Sequence, residues 1–162
     1  MGGKKKMEIF MIAGIVLIVA AGLAAYFLIF QKANPPLKAS ELRIGSAVFN
    51  VEVASTSVER ARGLSYRQSL GETSGMLFLF GQPAVQNFWM KDMQFPIDMI
   101  WIGGGKVVGI TENAEPQPGV SLWKLKIYSS PDGINEVLEI NAGAAKRNSI
   151  KIGDAVVMGQ TP

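Results

Sequence analysis

Residues 88–102 read FWMKDMQFPIDMIWI and carry three charges, Lys91, Asp92 and Asp98, within an otherwise apolar run. The second half of this stretch, 97–102, has the length and composition of a β-strand. Alternation places three apolar side chains on one face, and Asp98 with two isoleucines on the other. Because both faces are apolar, the strand is predicted to lie centrally and to be covered on both sides.

Asp98 is therefore expected to be a carboxylate at the edge of an apolar region. A buried charge needs an opposite charge or hydrogen-bond donors. Lys91, across the turn at Pro96, is the nearest candidate partner, and Arg62 or Arg67 could also reach it. Two roles follow: Asp98 locks the turn by accepting backbone N–H groups, or it faces a ligand.

Trp89 and Met90 are adjacent, so in a strand they point to opposite faces. One is expected in the core, and the other could line a pocket, where tryptophan offers a flat apolar surface and an N–H donor. Met76, Met93 and Met99 lie nearby in the sequence. Such methionines fill gaps in cores, but they also line adaptable binding surfaces.

Most of the remaining sequence also predicts short strands. Strand patterns cover 46–54, 75–80, 86–91, 97–111 with a hairpin turn at GGGK, 121–130, 134–140 and 151–158. Glycine supplies the positive φ that the tight turn between two such strands requires. The predicted fold class is mainly β, a β-rich α+β type, with one compact, barrel-like domain over residues 46–160.

Two short helices are predicted within this domain. Thr56, followed three residues later by Glu59, forms a capping box, and Gly63 stands where a left-handed C-terminal cap belongs. Asn141 is predicted to cap the second helix, and Asn148 to end it. Both helices are expected to pack on the sheet as minor elements.

The N-terminal part of the chain differs from the rest. Residues 9–30 contain no charge and extend for 22 residues, which is the length that a transmembrane helix needs. A signal-peptide core usually has about 7 to 15 apolar residues, so an uncleaved anchor is favoured over a cleaved signal. A buried core helix is the third reading, and it suits so small a domain poorly.

Lysines at 4–6 form a basic leader over residues 1–8, whereas fewer basic residues follow the apolar run closely. The positive-inside rule then places the N-terminus in the cytoplasm and the C-terminal domain outside, in a periplasmic or extracellular position. Residues 31–45 are predicted to be a linker, since Pro35 and Pro36 favour an extended chain. The membrane is thus an expected partner through residues 9–30.

Composition excludes several function classes. The formal net charge of +3 comes mostly from the leader, and residues from 31 onward carry 13 Lys and Arg against 12 Asp and Glu. Such a balance lacks the electrostatic footprint of nucleic-acid binding. The chain contains neither cysteine nor histidine, which removes disulfides, thiolate catalysis and a serine–histidine triad. No metal site and no cofactor are predicted.

The leading functional hypothesis is a binding or accessory module for a small or cell-envelope ligand. An aromatic surface with a few polar groups suits such a pocket. Its candidate residues are Trp89, Lys91 and Asp98, with Arg62, Glu112 and Asn113 at the rim. One alternative is a hydrolase that acts on envelope glycans with two carboxylates, Asp98 and Glu112. Another is an assembly partner that docks an envelope protein through a methionine-rich surface.

Five blocks together resemble the DUF192 (UPF0127) family. They are ERARGL at 59–64, GMLF at 75–78, FWMKD at 88–92 with PID at 96–98, NA at 113–114 and GD at 153–154. Asp92 stands where the family often has asparagine, Ile97 where it often has leucine, and the cysteine that many members carry after the NA block is absent. The resemblance implies a compact β-rich domain with short helices, often exported or membrane-anchored, and no established activity.

Overall fold

The computed structural model describes Met11, residues 14–23 and residues 37–159. The chain divides into two units, one ending at Pro36 and one beginning at Leu37. In the first unit, residues 14–23 are helical, and no helix among the described residues is long and apolar enough to cross a membrane. The predicted leader 1–8 and both ends of the predicted anchor 9–30 lie outside the described residues.

The second unit is rich in β-strands. Its strands are β1 (Lys38–Ile44), β2 (Ala47–Ala54), β3 (Ser74–Ala84), β4 (Asn87–Trp89), β5 (Ile97–Gly103), β6 (Lys106–Ala114), β7 (Ile127–Ser129), β8 (Ile134–Asn141) and β9 (Val156–Met158). Its helices are α1 (Ser57–Arg62), α2 (Ala144–Arg147) and a 3-10 helix at Leu122–Lys124. The predicted mainly β class is confirmed.

Seven strands form one sheet in the order β6-β5-β8-β3-β2-β1-β9. Strands β2 and β3 run parallel, and α1 lies in the connection between them, whereas the other pairs in this sheet are antiparallel. Strands β4 and β7 form a separate two-stranded antiparallel sheet. This topology puts β5 and β8 side by side near one end of the large sheet.

The large sheet curls into a half barrel. Its two outer strands, β6 and β9, come together at one end. Lys106, at the start of β6, forms an antiparallel bridge with Ala155, just before β9. The N–H of Val107 donates to the carbonyl of Asp154 at 3.0 Å, and the N–H of Gly153 donates to the carbonyl of Val107 at 2.8 Å. These bonds pair backbone groups that an open sheet edge would leave exposed.

Strand β5 is covered on both faces, as its two-sided apolar pattern predicts. Asp98 and every apolar residue of the strand from Ile97 to Ile102 are buried. Ile100 and Ile102 belong to a core cluster shared with β1, β2 and α2. Ile97, Met99 and Trp101 belong to a second cluster on the opposite face, which also contains Met90 and Met93.

The first predicted helix and its capping box are confirmed. The hydroxyl of Thr56 accepts the N–H of Glu59 at 3.2 Å, and the Glu59 carboxylate accepts the N–H of Thr56 at 2.8 Å. Gly63 ends the helix with φ +49° and ψ −136°. Its φ is positive as predicted, but this ψ lies outside the left-handed helical region, so the predicted type of cap is wrong.

The second helix begins later than predicted. Its N-terminal cap is Gly143, and Asn141 is instead the last residue of β8. The side-chain amide of Asn141 donates to the carbonyls of Leu70 and Gly71, so it holds a neighbouring loop rather than capping the helix. Asn148 ends the helix as predicted.

The predicted linker 31–45 contains a strand. Its last part forms β1, in which Ser40, Leu42 and Ile44 are buried. This alternation pairs β1 with β2 and fills the core, which an exposed linker would not do. Residues 31–36 lie outside the described residues.

The strand predicted at 121–130 is also mostly wrong. Its first part forms the 3-10 helix, and only β7 at its end is a strand. Trp123 is 90% exposed, so the alternating pattern there has no apolar surface on which to pack. The alternating pattern in this segment therefore does not correspond to a buried face of a strand.

Candidate functional site

A cavity of about 210 Å³ opens in the second unit between α1, the segment after it, β3, β4 and β8. Its lining is mainly apolar, with aromatic, aliphatic and small residues, and it also includes two arginines, two side-chain amides and one carboxylic acid. The lining consists of Arg60, Ala61, Arg62, Gly63, Leu64, Ser65, Phe78, Phe80, Gln86, Asn87, Phe88, Trp89, Met93 and Glu139.

Aromatic rings form one wall of the cavity. Phe78 and Phe80 alternate along β3 and so share a face, and both pack edge-to-face against Phe88 of β4, with centroids 5.0 and 6.3 Å away. Phe88 also packs edge-to-face against Trp101 of β5, at 5.7 Å. Trp89 is 48% exposed and lies in the lining. The wall is rigid on its inner side and open to solvent at Trp89.

Glu139 is the buried polar group of this cavity. It lies on β8 between Met76 of β3 and Met99 of β5, and only 5% of it is exposed. Its carboxyl makes no hydrogen bond within the part of the chain that the structure describes, where every fully buried side-chain oxygen or nitrogen has a partner. We conclude that the carboxyl keeps contact with the open space of the cavity.

Burial controls the charge of Glu139. Loss of hydration disfavours the ionised form and raises the pKa of this carboxyl to about 8. The side chain is therefore mostly a neutral carboxylic acid at pH 7, with an O–H that can donate. A ligand that brings a positive charge or a strong hydrogen-bond donor to this carboxyl would favour its ionisation.

Two arginines of α1 contribute to the lining, and they differ. The Arg60 guanidinium donates to the carbonyls of Ser55 at 2.5 Å and Leu79 at 2.9 Å, and it lies over the ring of Phe80 at 5.0 Å from the centroid. It is thus held as part of the wall. Arg62 makes no hydrogen bond or ion pair within residues 37–159. Its charge adds to the hydrogen bond from Arg67 in lowering the pKa of Glu52, but its N–H groups remain available to a ligand.

Of the six residues predicted to form a pocket, only Trp89 and Arg62 line this cavity. The other four lie outside its lining, so the structure does not bring the six together at this cavity. Of the two neighbours at 89 and 90, Met90 is buried in the core as expected of one of them, and Trp89 is half-exposed at the cavity lining.

Asp98 holds the fold together. It is completely buried, and its two oxygens accept backbone N–H groups, from Asn113 at 2.9 Å and from Ala145 at 3.0 Å. The first donor lies where the β5–β6 pairing is interrupted by a bulge. The second lies in the first turn of α2, where a helix has N–H groups without intrahelical partners. Neither oxygen is left to activate a water molecule.

The predicted cationic partners of Asp98 are engaged elsewhere. Lys91 pairs with Asp92, which holds the pKa of Asp92 below and that of Lys91 above their usual ranges. Arg67 forms a bidentate ion pair with Glu52, with N–O distances of 2.5 and 2.7 Å. A buried carboxylate with two backbone donors does not require a cation.

The last two predicted residues lie on the outer part of β6. Glu112 and Asn113 are both exposed. Asn113 has φ +50°, and its side-chain amide donates to the Glu115 carboxylate at 2.6 Å. It stabilises the turn at the end of the strand, as an asparagine in such a conformation often does.

The methionines near this region belong to the core. Met76, Met90, Met93 and Met99 are all at most 4% exposed, so they do not form the methionine-rich surface predicted for docking. Among the described residues, no three acidic side chains come close enough together to hold a metal ion.

Glu139 was absent from the predicted site, although its strand was predicted. In INEVLEI, Glu136 and Glu139 are three residues apart, so they point to opposite faces of the strand. In a strand covered on both sides, at least one of the two must be buried. That spacing is the signal in the sequence from which the buried acid could have been found.

Comparisons with known proteins agree with this architecture. A crystal structure from Sinorhizobium meliloti 1021, of a protein described as a "putative transcription regulator", is 31% identical, with a TM-score of 0.69, over 77% of this chain and 97% of that one. A protein of unknown function from Novosphingobium aromaticivorans DSM 12444 is 35% identical, with a TM-score of 0.68, over 75% and 86%. No curated protein matches the chain.

The family model of DUF192, described as "Uncharacterized ACR", matches residues 40–158. This range covers nearly all of the second unit, including every strand and helix that surrounds the cavity. The five sequence blocks that suggested the resemblance fall within it. With this match and two solved structures above 30% identity, the chain belongs to the DUF192 family.

Proposed function

We propose that this protein is a binding domain that takes a small molecule with an apolar body and a basic amino group into the Glu139 cavity. The observation that carries the proposal is the buried carboxyl of Glu139, which has no hydrogen-bond partner within the described residues and contacts the cavity. A carboxyl that burial has largely desolvated, and whose remaining open side faces a cavity, is a candidate ligand-binding group.

The chemistry of the cavity favours an amine. An ammonium group beside Glu139 would pair with the carboxylate and donate hydrogen bonds to it, and such charge-assisted bonds are the stronger kind. The rings of Phe78, Phe88 and Trp89 offer apolar contact to the rest of the ligand, and aromatic faces also attract cations. Arg62 at the lining could meet an acidic group at the ligand's other end.

The size of the cavity limits the ligand. At about 210 Å³ it is smaller than the usual ligand pocket, for which volumes start at roughly 300 Å³. A single aromatic ring with a short amine-bearing arm fits this volume better than a polymer does. Of the two ligand classes predicted from the sequence, the small molecule is therefore favoured over a whole envelope glycan.

The location that we propose is the outer side of a membrane, with residues 9–30 as the anchor. The support is the uncharged 22-residue run and the lysines before it. A C-terminal reporter that is active only outside the cytoplasm should be active when fused to the full chain. An inactive reporter, alongside an active one fused in the cytoplasm, would reject this location.

The description of the Sinorhizobium protein raises a regulatory role for its relatives. Residues 37–159 of this chain carry 12 basic and 12 acidic side chains, and such a balance does not favour contact with nucleic acid. A regulatory role here would more simply come from ligand binding by the domain. The absence of a nucleic-acid partner remains a prediction.

Three probes of one shape test the proposed function: benzylamine, benzyl alcohol and toluene. Calorimetry or ligand-detected NMR at pH 8 should show benzylamine binding about tenfold more tightly than benzyl alcohol, a difference worth about 1.4 kcal/mol. Glu139→Gln should remove this preference. The matched control is Glu136→Gln, on the same strand but the opposite face, which should keep it.

A second pair of variants separates the wall from the carboxyl. Trp89→Ala should weaken the binding of all three probes, whereas Trp123→Ala, which removes an exposed ring outside the cavity, should not. Equal affinity of the amine and the alcohol, with binding still dependent on Trp89, would reject the amine but keep a binding cavity. If none of the probes binds, or if neither Glu139 nor Trp89 matters, the proposal is wrong.

A further inference from the structure

Residues 121–127, which we call the Trp123 loop, expose several apolar side chains. Trp123 is 90% exposed, Leu122 61% and Ile127 48%. Scattered apolar residues on a surface are ordinary, but a run that includes an almost fully exposed tryptophan marks an interaction site. This loop is separate from the carboxyl of Glu139, and its inference does not depend on the proposed ligand.

The loop has a defined conformation. Its first part is the 3-10 helix, in which the N–H of Lys124 donates to the carbonyl of Ser121 at 2.9 Å. The N–H of Lys126 donates to the Gln117 side chain at 3.1 Å, and the N–H of Gln117 donates to the carbonyl of Met90, a core residue, at 3.0 Å. The exposed side chains are thus presented by a backbone that is tied to the core.

The charge of this region has one sign. Lys124 and Lys126 lie among the exposed apolar residues, and no Asp or Glu occurs between Glu115 and Asp132. The domain as a whole is balanced between acids and bases, so this excess is local. Apolar side chains interleaved with lysines match the boundary of a bilayer that contains anionic lipid, where apolar groups enter and cations meet headgroups.

Tryptophan favours that boundary in particular, because its ring is apolar and its N–H is polar. The apolar surface also continues beyond the loop. Ile127 of β7 is the direct cross-strand neighbour of Trp89 of β4, and both are half-exposed. Trp89 lines the Glu139 cavity, so the surface reaches from the loop to the cavity lining.

We propose that the Trp123 loop docks on the surface of an anionic lipid bilayer. Leu122, Trp123 and Ile127 enter the interface between headgroups and acyl chains, and the two lysines contact anionic headgroups.

The test uses the fragment 37–162 without the apolar run, so that only the domain meets the lipid. Residues from Leu37 onward form a separate compact unit that contains both core clusters, so the fragment keeps the whole core of the domain. Binding is measured by co-sedimentation with vesicles of phosphatidylcholine alone or with 30% phosphatidylglycerol. We expect binding to the anionic vesicles, with a blue shift of tryptophan fluorescence, and weaker binding at high salt.

Two variants and one control identify the loop. Trp123→Ser should lower partitioning into anionic vesicles about tenfold, and Lys124→Gln with Lys126→Gln should remove the preference for anionic lipid. Val58→Ser removes another exposed apolar side chain, on α1, and should change nothing. The fluorescence shift should persist in Trp89→Phe, which keeps Trp123.

Several outcomes would overturn the inference. Failure to bind either kind of vesicle is one, and unchanged binding of the Trp123→Ser variant is another. Self-association of the fragment that depends on Trp123, without vesicle binding, would instead assign the surface to a second copy of the chain. Because none of these measurements uses a cavity ligand, their result is independent of the benzylamine experiment.

Discussion

Two acids are buried in neighbouring strands of the same sheet, but they differ in their hydrogen bonds. Asp98 of β5 and Glu139 of β8 lie one position apart in the pairing of the two strands, so they point to opposite faces. Both oxygens of Asp98 accept backbone N–H groups, whereas the carboxyl of Glu139 has no hydrogen bond within the described residues. Burial alone does not distinguish them.

The hydrogen-bond partners of a buried acid indicate whether its role is structural or functional. Asp98 satisfies a bulge and a helix start, two places where the backbone has N–H groups to spare, so the fold itself uses both oxygens. The carboxyl of Glu139 accepts no hydrogen bond from the described residues, and it contacts the cavity. Backbone N–H groups of the protein account for the burial of Asp98. The burial of Glu139 instead requires a proton on the carboxyl or a bound ligand.

The largest effect is expected from Asp98→Ala. The substitution leaves two N–H groups of Asn113 and Ala145 buried without an acceptor, and each such group costs about 1–3 kcal/mol. Urea unfolding of the fragment 37–162 should show a loss of about 3–5 kcal/mol. Glu72→Ala, which removes an exposed acid that makes no hydrogen bond or ion pair within residues 37–159, should change the free energy of unfolding by no more than about 0.5 kcal/mol.

An Asp98→Ala variant as stable as the parent would break the comparison. It would mean that water or a shifted backbone satisfies the two N–H groups, and that Asp98 is as free for function as Glu139. The loss should also be independent of any cavity ligand, since neither oxygen of Asp98 contacts the cavity lining.

The second prediction concerns Glu139→Gln and has the opposite sign. The pKa of Glu139 in the folded state, about 8, lies above its ordinary value of 4.5, so between these pH values the folded state keeps a proton that the unfolded state releases. Stability of the parent should therefore fall as pH rises from 4.5 to 8. The slope is about 1.4 kcal/mol per pH unit, and at pH 7 the accumulated loss is on the order of 3 kcal/mol.

The glutamine variant cannot ionise, so its free energy of unfolding should exceed that of the parent at pH 8 and match it more closely at pH 4.5. The pH dependence is measured by urea unfolding at intervals between these values. Glu136→Gln is the control, because burial also raises the pKa of Glu136 but that side chain is only partly buried. Its effect on the slope should be smaller. A parent whose stability does not fall in this window would contradict the raised pKa of Glu139.

Local patterns in the sequence predicted the fold well where neighbouring residues decide the structure. The apolar alternation of β5 on both faces, the capping box at Thr56 and the glycine turn at GGGK all depend on residues a few positions apart. Gly104 and Gly105 both have positive φ, as the hairpin requires. The prediction at 121–130 failed at its start because Leu122 and Trp123 are exposed in a 3-10 helix and do not pack on a sheet.

The candidate site was harder to predict because it depends on contacts between distant residues. Lys91 lies close to Asp98 in the sequence, yet it pairs with Asp92, and the donors to Asp98 come from β6 and α2. Glu139 lies about fifty residues from the aromatic wall that it faces. Pattern alone reveals that an acid is buried, but only the fold reveals which one has no partner.

The smallest effect on the free energy of unfolding is expected from Thr56→Ala, at the start of the helix α1 that lines one side of the cavity. The hydroxyl of Thr56 caps α1, and loss of such a cap costs about 1 kcal/mol. Because α1 has no fully buried residue, the loss should appear mainly as faster hydrogen exchange at Glu59 and Arg60, with a smaller change in global unfolding.

This variant sharpens the comparison, since it loosens the helix that carries Arg60 and Arg62 while leaving β8 unchanged. The pH dependence of stability should then keep the window set by Glu139, because its neighbours in the sheet, Met76 of β3 and Met99 of β5, stay in place. A window that shifts toward lower pH would show that α1 shields Glu139 from water. In that case the helix, and not the sheet, would be the element that keeps this carboxyl neutral.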